Sequence, residues 1–136
     1  MKNSPTLDLG LVNHIGQLST MEVGRNLFAG KVRPASLAIP DQAAFVSVTG
    51  GDSPVPFFGE SGDLVRPAVE VVVRSAKRDF DGGRSLAWSI HGHCHRAQVQ
   101  KTLGISADQS APVLLSEDDD GRFLWVINLT VTASEE

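Results

Sequence analysis

A chain of 136 residues, 41% of them apolar and with a formal charge of −4, is long enough for one hydrophobic core and too short for two. Its single cysteine excludes an internal disulfide, and the acidic balance excludes a nucleic-acid binder that works through a bulk Lys/Arg surplus. The start, MKNSPTLDLGLVNH, lacks the basic head and apolar centre of a signal peptide, and no apolar run reaches the ~20 residues that span a bilayer, so a soluble chain made in the cytoplasm is expected.

Leu7, Leu11, Ile15, Leu18 and Met21 recur at three- and four-residue intervals and predict an amphipathic helix running from Leu7 toward Phe28. Gly10, Gly16 and Gly24 weaken its far end, which makes Ser19–Thr20 the other boundary. GRNLFAGKVRPASLAIP, punctuated by glycine and proline, predicts an extended connection. In AAFVSVTGG, Phe45, Ser47 and Thr49 alternate with Ala44, Val46 and Val48 before Gly50–Gly51, the pattern of a strand entering a turn. The stretch from about 50 to 66 holds Pro54, Pro56 and the adjacent Phe57 and Phe58 among several glycines. It predicts a long loop with no regular element, of a length that usually serves a function or a partner.

RPAVEVVVRSA predicts a strand with Val69, Val71 and Val73 inward and Glu70 and Arg74 outward. Asp79 or Asp81 then caps a second helix whose inner stripe is Leu86, Ala87, Ile90 and Cys94. Residues 111–133 predict a hairpin, two apolar runs around an acidic turn closed by Asp120–Gly121. In its second arm Phe123, Trp125, Ile127, Leu129 and Val131 share an apolar face, opposite the mixed face of Leu124, Val126, Asn128, Thr130 and Thr132. The expected fold is α+β over a single domain, 1–136: a mainly antiparallel β-sheet with two helices packed on one face.

Three histidines and the only cysteine fall within five residues, His91 to His95. On a helix His91 and His95 share a face, which suits two ligands of one metal; on a strand His91, His93 and His95 would. A structural zinc site takes four nitrogen or sulfur ligands, and the remaining histidine, His14, sits on another predicted element. A His91–Cys94 catalytic dyad lacks an orienting partner. The cluster is therefore expected to be the last turn of the second helix, where free carbonyls and the dipole favour histidine and Cys94 fills a core gap. No cofactor is expected. His91, His93, Cys94 and His95 are the metal candidates of a rival assignment, a small metal-binding protein or enzyme.

Glu117 to Asp120 are contiguous, unlike the alternating ligands of a calcium loop, and read as a solvated hairpin tip. Phe57 and Phe58 cannot both point inward from an extended loop. Either one of them meets a partner or a bend at Gly59 tucks both against the sheet.

Taken in order, GRNLFAG, AFVSVTGGDSPVPFFG, RPAVEVVVRS and the DGRFLWVINLTV arm with Asn128 resemble the bacteriophage minor capsid protein family, whose members act as tail terminators or tail-completion proteins. The resemblance covers most of Gly24 to Val131, and the histidine-rich helix end departs from it. It implies a non-enzymatic structural protein that caps the tail tube, stops its polymerisation and joins the tail to the head connector around the DNA channel. A head-completion or stopper protein of the neck is the alternative. The implied partners are further copies of the chain in a hexameric ring, the tail-tube protein, the head–tail connector or stopper protein, and genomic DNA passing without sequence-specific binding; no membrane is involved. The implied location is the virion tail or neck, after a stay in the host cytoplasm. Phe57, Phe58, Asp63 and Arg66 are the expected contacts to tube or connector. Glu70, Arg74, Asp118, Asp119, Asp120 and Arg122 are expected between subunits or facing the lumen.

Overall fold

Fourteen consecutive residues, Arg122–Glu135, form the strand around which everything else is arranged. The computed structural model describes residues 7–30, 40–56, 62–99 and 102–135. In chain order its elements are α1 (Leu7–Ile15), β1 (Leu27–Ala29), β2 (Ala43–Gly51), β3 (Val55–Pro56), β4 (Asp63–Val65), β5 (Pro67–Lys77), α2 (Phe80–Cys94), β6 (Thr102–Ala107), β7 (Val113–Glu117) and β8 (Arg122–Glu135). They build the expected α+β fold, one eight-stranded sheet that is antiparallel except where β1 joins β2.

One edge of β8 is lined by β4 and β5 in a single register, from Asp63 opposite Glu135 through Ala68 opposite Thr130 to Arg74 opposite Leu124. The two are one track, broken at Arg66. β3 likewise prolongs β2, since Gly51 faces Pro67 and Val55 faces Leu64. Within the stretch 50–66, expected to be irregular, the described parts on either side of 57–61 are therefore paired strands that continue the β2–β5 ladder, and the correction has a physical source. Gly51 adopts φ +128°, and a Cβ there would lie 2.2 Å from the Arg66 carbonyl oxygen, so glycine permits a bend within a ladder instead of ending it. Phe57 and Phe58 lie outside the described residues.

The other edge of β8 carries β6 and β7 in succession. β6, unforeseen because Gly104 interrupts its pattern, is reached by a sharp turn after α2. Arg96 adopts φ +68°, donates its N–H to the Ile105 carbonyl at 2.7 Å, and Ile105 donates back to Ala97 at 3.0 Å.

Both helices cover one face. Ala44 and Val46 of β2, Val69, Val71 and Val73 of β5, and Trp125, Ile127, Leu129 and Val131 of β8 are buried against Leu7, Leu11 and Ile15 of α1 and Leu86, Ile90 and Cys94 of α2. Each such aliphatic side chain contributes ~1.5–3 kcal/mol by leaving water. The first helix is shorter than expected. It stops at Ile15, where Gln17 and Leu18 close tight i→i+3 turns onto His14 and Ile15. Met21 is nevertheless buried and Leu18 packs against the core, so the apolar spacing reported burial past the helix end, not helix.

Asp79 caps α2, its carboxylate accepting the Gly82 N–H at 2.9 Å. The next glycine permits a close approach: a Cβ on Gly83 would lie 2.5 Å from Ser75 Cβ and 3.1 Å from the Trp125 Nε1. Buried Ser75 accepts the Phe123 N–H at 2.9 Å where the β5–β8 register shifts between Arg74 and Lys77.

Among the described residues the opposite sheet face carries no helix. A row of register partners crosses it, Phe28, Phe45, Val72, Val126 and Val113, beside the polar row Ser47, Glu70 and Asn128. No helix among the described residues is long and apolar enough to cross a membrane.

Candidate functional site

The fold sends the residues of the histidine cluster in three directions. His91 donates from Nε2 to the Gln109 carbonyl at 2.8 Å, and His95 accepts the Ala107 N–H on Nδ1 at 3.0 Å. Together they fasten α2 to the chain leaving β6. His93 points to α1 instead, where its ring meets His14. Cys94 is fully buried, and that burial pushes its thiol up to about 12, which suppresses the thiolate that a nucleophile or ligand needs. The ring lone pair of His95 is taken by an amide, so it is not free for a metal. Among the described residues no group of three or more His, Cys, Asp or Glu is placed to hold a metal ion. The helix-end expectation describes this arrangement: α2 ends at Cys94, with the His95 N–H bonded to the His91 carbonyl.

A charged cluster gathers at the turn between β7 and β8. Arg122 donates from Nε to Asp118 at 3.0 Å and from Nη1 to Asp41 at 3.1 Å, and its Nη2 meets Asp120. Asp118 also accepts the backbone N–H groups of Asp120 and Arg122, each at 2.9 Å. The Arg122 N–H does most to hold the Asp118 carboxyl below the usual range; burial opposes it, and the Asp120 N–H and the Arg122 guanidinium add to the lowering. Burial works against the charge on Arg122, but the hydrogen bond to Asp120 and the fields of Asp118, Asp120 and Asp41 outweigh it and raise its pKa. Arg74, in the neighbouring row, donates to the carbonyls of Asp41 and Pro40 at 2.7 Å each and lies over the Phe45 ring. Burial, then repulsion from Arg122, lowers its pKa against the pull of Asp41 and Asp118.

Four of the expected contact residues, Arg74, Asp118, Asp120 and Arg122, thus share one intrachain network. Asp119 is exposed at the same turn, and half-buried Glu70 lies on the helix-free face. Asp63 and Arg66 sit along the β4–β5 track, Asp63 half-buried and Arg66 exposed. Asp41, the residue that ties the turn to the start of β2, carries no local pattern in the sequence. The exposed apolar residues of β7, Val113, Leu114 and Leu115, were legible only as part of a hairpin arm.

A family model described as bacteriophage tail terminator protein matches residues 37–135. No curated protein matches the chain. Nine chains of solved structures do. One, from the virion of a native gene transfer agent particle, has a TM-score of 0.61 at 11% identity, covering 95% of this chain and 95% of that chain. At such identity the likeness establishes the shared fold alone.

Proposed function

The chain belongs to the bacteriophage tail terminator family, and from that premise we propose that it caps the phage tail tube, stops its polymerisation and joins the tail to the head connector. The observation that carries this is the family match, which spans β2 to β8 and therefore most of the sheet together with α2. The role is structural, in the virion, with further copies of the chain, the tail-tube protein and the connector or stopper protein as partners.

Three physical features support it. The long β2–β5 hairpin extends the sheet past the helices and carries Asp63 and Arg66, with Phe57 and Phe58 between its arms in sequence, as the element that meets tube or connector. The helix-free face, half apolar and half polar, suits contact with neighbouring copies in a hexameric ring. Glu70 and Asp119 act there or toward the lumen, while Arg74, Arg122, Asp118 and Asp120 act as a unit that fixes the acidic turn. A net acidic subunit repels DNA and lets it slide through the channel without sticking.

Electron microscopy of particles made without the protein tests the assignment. Overlong tails are expected; normal-length detached tails beside leaking heads would instead indicate a stopper of the neck. Unchanged tail length and head joining in a Phe57→Ala/Phe58→Ala double variant would remove the hairpin from the contact.

A further inference from the structure

The outer edge of β6 is closed by the chain that leaves α2. Arg96 donates its N–H to the Ile105 carbonyl at 2.7 Å, and Ile105 donates to the Ala97 carbonyl at 3.0 Å. Two residues further along the strand, at Ala107, the acceptor is no longer a carbonyl. It is Nδ1 of His95, at 3.0 Å. A side chain thus takes the place that backbone fills at Ile105, and it closes the last N–H of an edge that would otherwise stay open.

The bond at Ala107 differs in kind from its neighbours. An amide N–H only donates, so His95 accepts through the lone pair of Nδ1 and carries its own hydrogen on Nε2. In the imidazolium form both nitrogens carry hydrogen and no lone pair remains. The bond therefore exists only while His95 is neutral. The other three histidines behave differently. His14, His91 and His93 donate from Nε2 to backbone carbonyls, and a donor stays a donor when the ring gains a proton.

His95 is exposed, so solvent protons reach it. With His91, Asp108, Gln109 and Ser110 it lines a cavity of about 290 Å³. Arg96 in the turn, and His91 on α2 once it is protonated, oppose positive charge on the ring. Asp108, at the exit of β6, is the carboxylate of the cavity wall, and its Oδ1 accepts the Thr130 hydroxyl at 2.6 Å. β6 itself and the Asn128–Thr130 part of β8 beside it have no ionisable side chain. His93 turns away, toward α1.

We propose that His95 is a pH-operated latch on this sheet edge. Neutral, it seals the Ala107 N–H; protonated, it lets go and leaves that N–H unpaired, while His91 still holds the Gln109 end. The released form binds one proton more than the latched form, so acid favours release. The stabilisation by the latch is present above the histidine range and is lost as pH falls through it. Acid thus turns a closed strand edge into one that offers a free donor. The latch works within a single chain and is independent of the ring proposed above.

Hydrogen exchange of the full-length chain tests the latch, read by NMR at single amides and divided by the rate of an unstructured peptide at each pH. Between pH 8 and pH 5, on either side of the usual histidine range, the protection of Ala107 is expected to fall ~3- to 10-fold, the loss of one hydrogen bond. Protection of Arg96 and Ile105, whose acceptors are backbone carbonyls, is expected to hold. His95→Asn puts an amide oxygen where Nδ1 stands and has nothing to titrate, so Ala107 should stay protected at both pH values. His91→Ala should leave the fall in place. Equal protection of Ala107 at pH 8 and pH 5 in the wild type would overturn the latch. A fall of the same size in folded His95→Asn would also overturn it, because the titrating group would then lie elsewhere.

Discussion

His14 and His93 stack ring on ring, their centroids 4.1 Å apart and their planes 12° from parallel, and each Nε2 donates to the other's backbone carbonyl at 2.8 Å. A carbonyl only accepts, so both Nε2 atoms carry hydrogen, and the two bonds and the stack form one reciprocal clasp between α1 and the last turn of α2. Replacing His14 by alanine removes one bond and the stack, while the bond to the His14 carbonyl survives because it is to backbone. The expected cost is ~1.5–2.5 kcal/mol, from a hydrogen bond of about 1 and an aromatic pair of ~0.5–1.5. His14→Phe keeps the ring and should lose only ~1 kcal/mol. Urea unfolding ranks the variants, and hydrogen exchange should show α1 losing protection first. Equal stability of all three proteins would mean the clasp contributes nothing.

What was legible in the sequence and what was not divide along that contact. β5, α2 and β8 announce themselves because their periodicity is local: Val69, Val71 and Val73 alternate, Leu86, Ile90 and Cys94 recur every four residues, and all are buried as that spacing requires. The His14–His93 pair, the Asp41–Arg122 bond and the β1–β2 pairing join residues far apart in the chain, and no spacing rule reaches them. The histidine cluster was conspicuous for its composition, yet its role lies in three separate long-range contacts. β3 and β4 were hidden by the glycines and prolines that let a ladder bend, and the first helix was overextended because Leu18 and Met21 keep helical spacing while packing from turns.

Two glycines of α2 look alike in sequence and should respond oppositely to alanine. At Gly83 the added Cβ meets Ser75 Cβ at 2.5 Å, and both the helix and the β5 strand beneath it must shift, at a cost of ~1–3 kcal/mol. At Gly92 nothing lies within 4 Å of the added atom, and alanine gains the helix propensity that glycine forfeits, ~0.5–1 kcal/mol. Thermal unfolding should therefore place Gly83→Ala below wild type and Gly92→Ala above it. A neutral Gly83→Ala would show that α2 does not sit as close to the sheet as the Ser75 and Trp125 contacts require.

Asp118 organises the acidic turn, and its lowered pKa fixes the sign of the pH dependence. The Arg122 N–H, accepted by its carboxylate at 2.9 Å, is the largest cause of the lowering, ahead of the Asp120 N–H and the guanidinium charge. A carboxylate whose folded pKa lies below its unfolded value stabilises the fold at pH above the ordinary aspartate range of ~3.9. That contribution is lost as pH falls through the lower folded value, once the proton is bound in both states. Asp118→Asn keeps an acceptor oxygen for the two backbone donors but carries no charge at any pH, so it mimics the protonated form. At pH 7 the wild type should melt above Asp118→Asn, and the two melting temperatures should converge as the solution is acidified past the aspartate range. A gap that is constant from pH 7 to pH 2 would assign the turn's stability to the hydrogen-bond geometry alone and remove the charge of Asp118 from it.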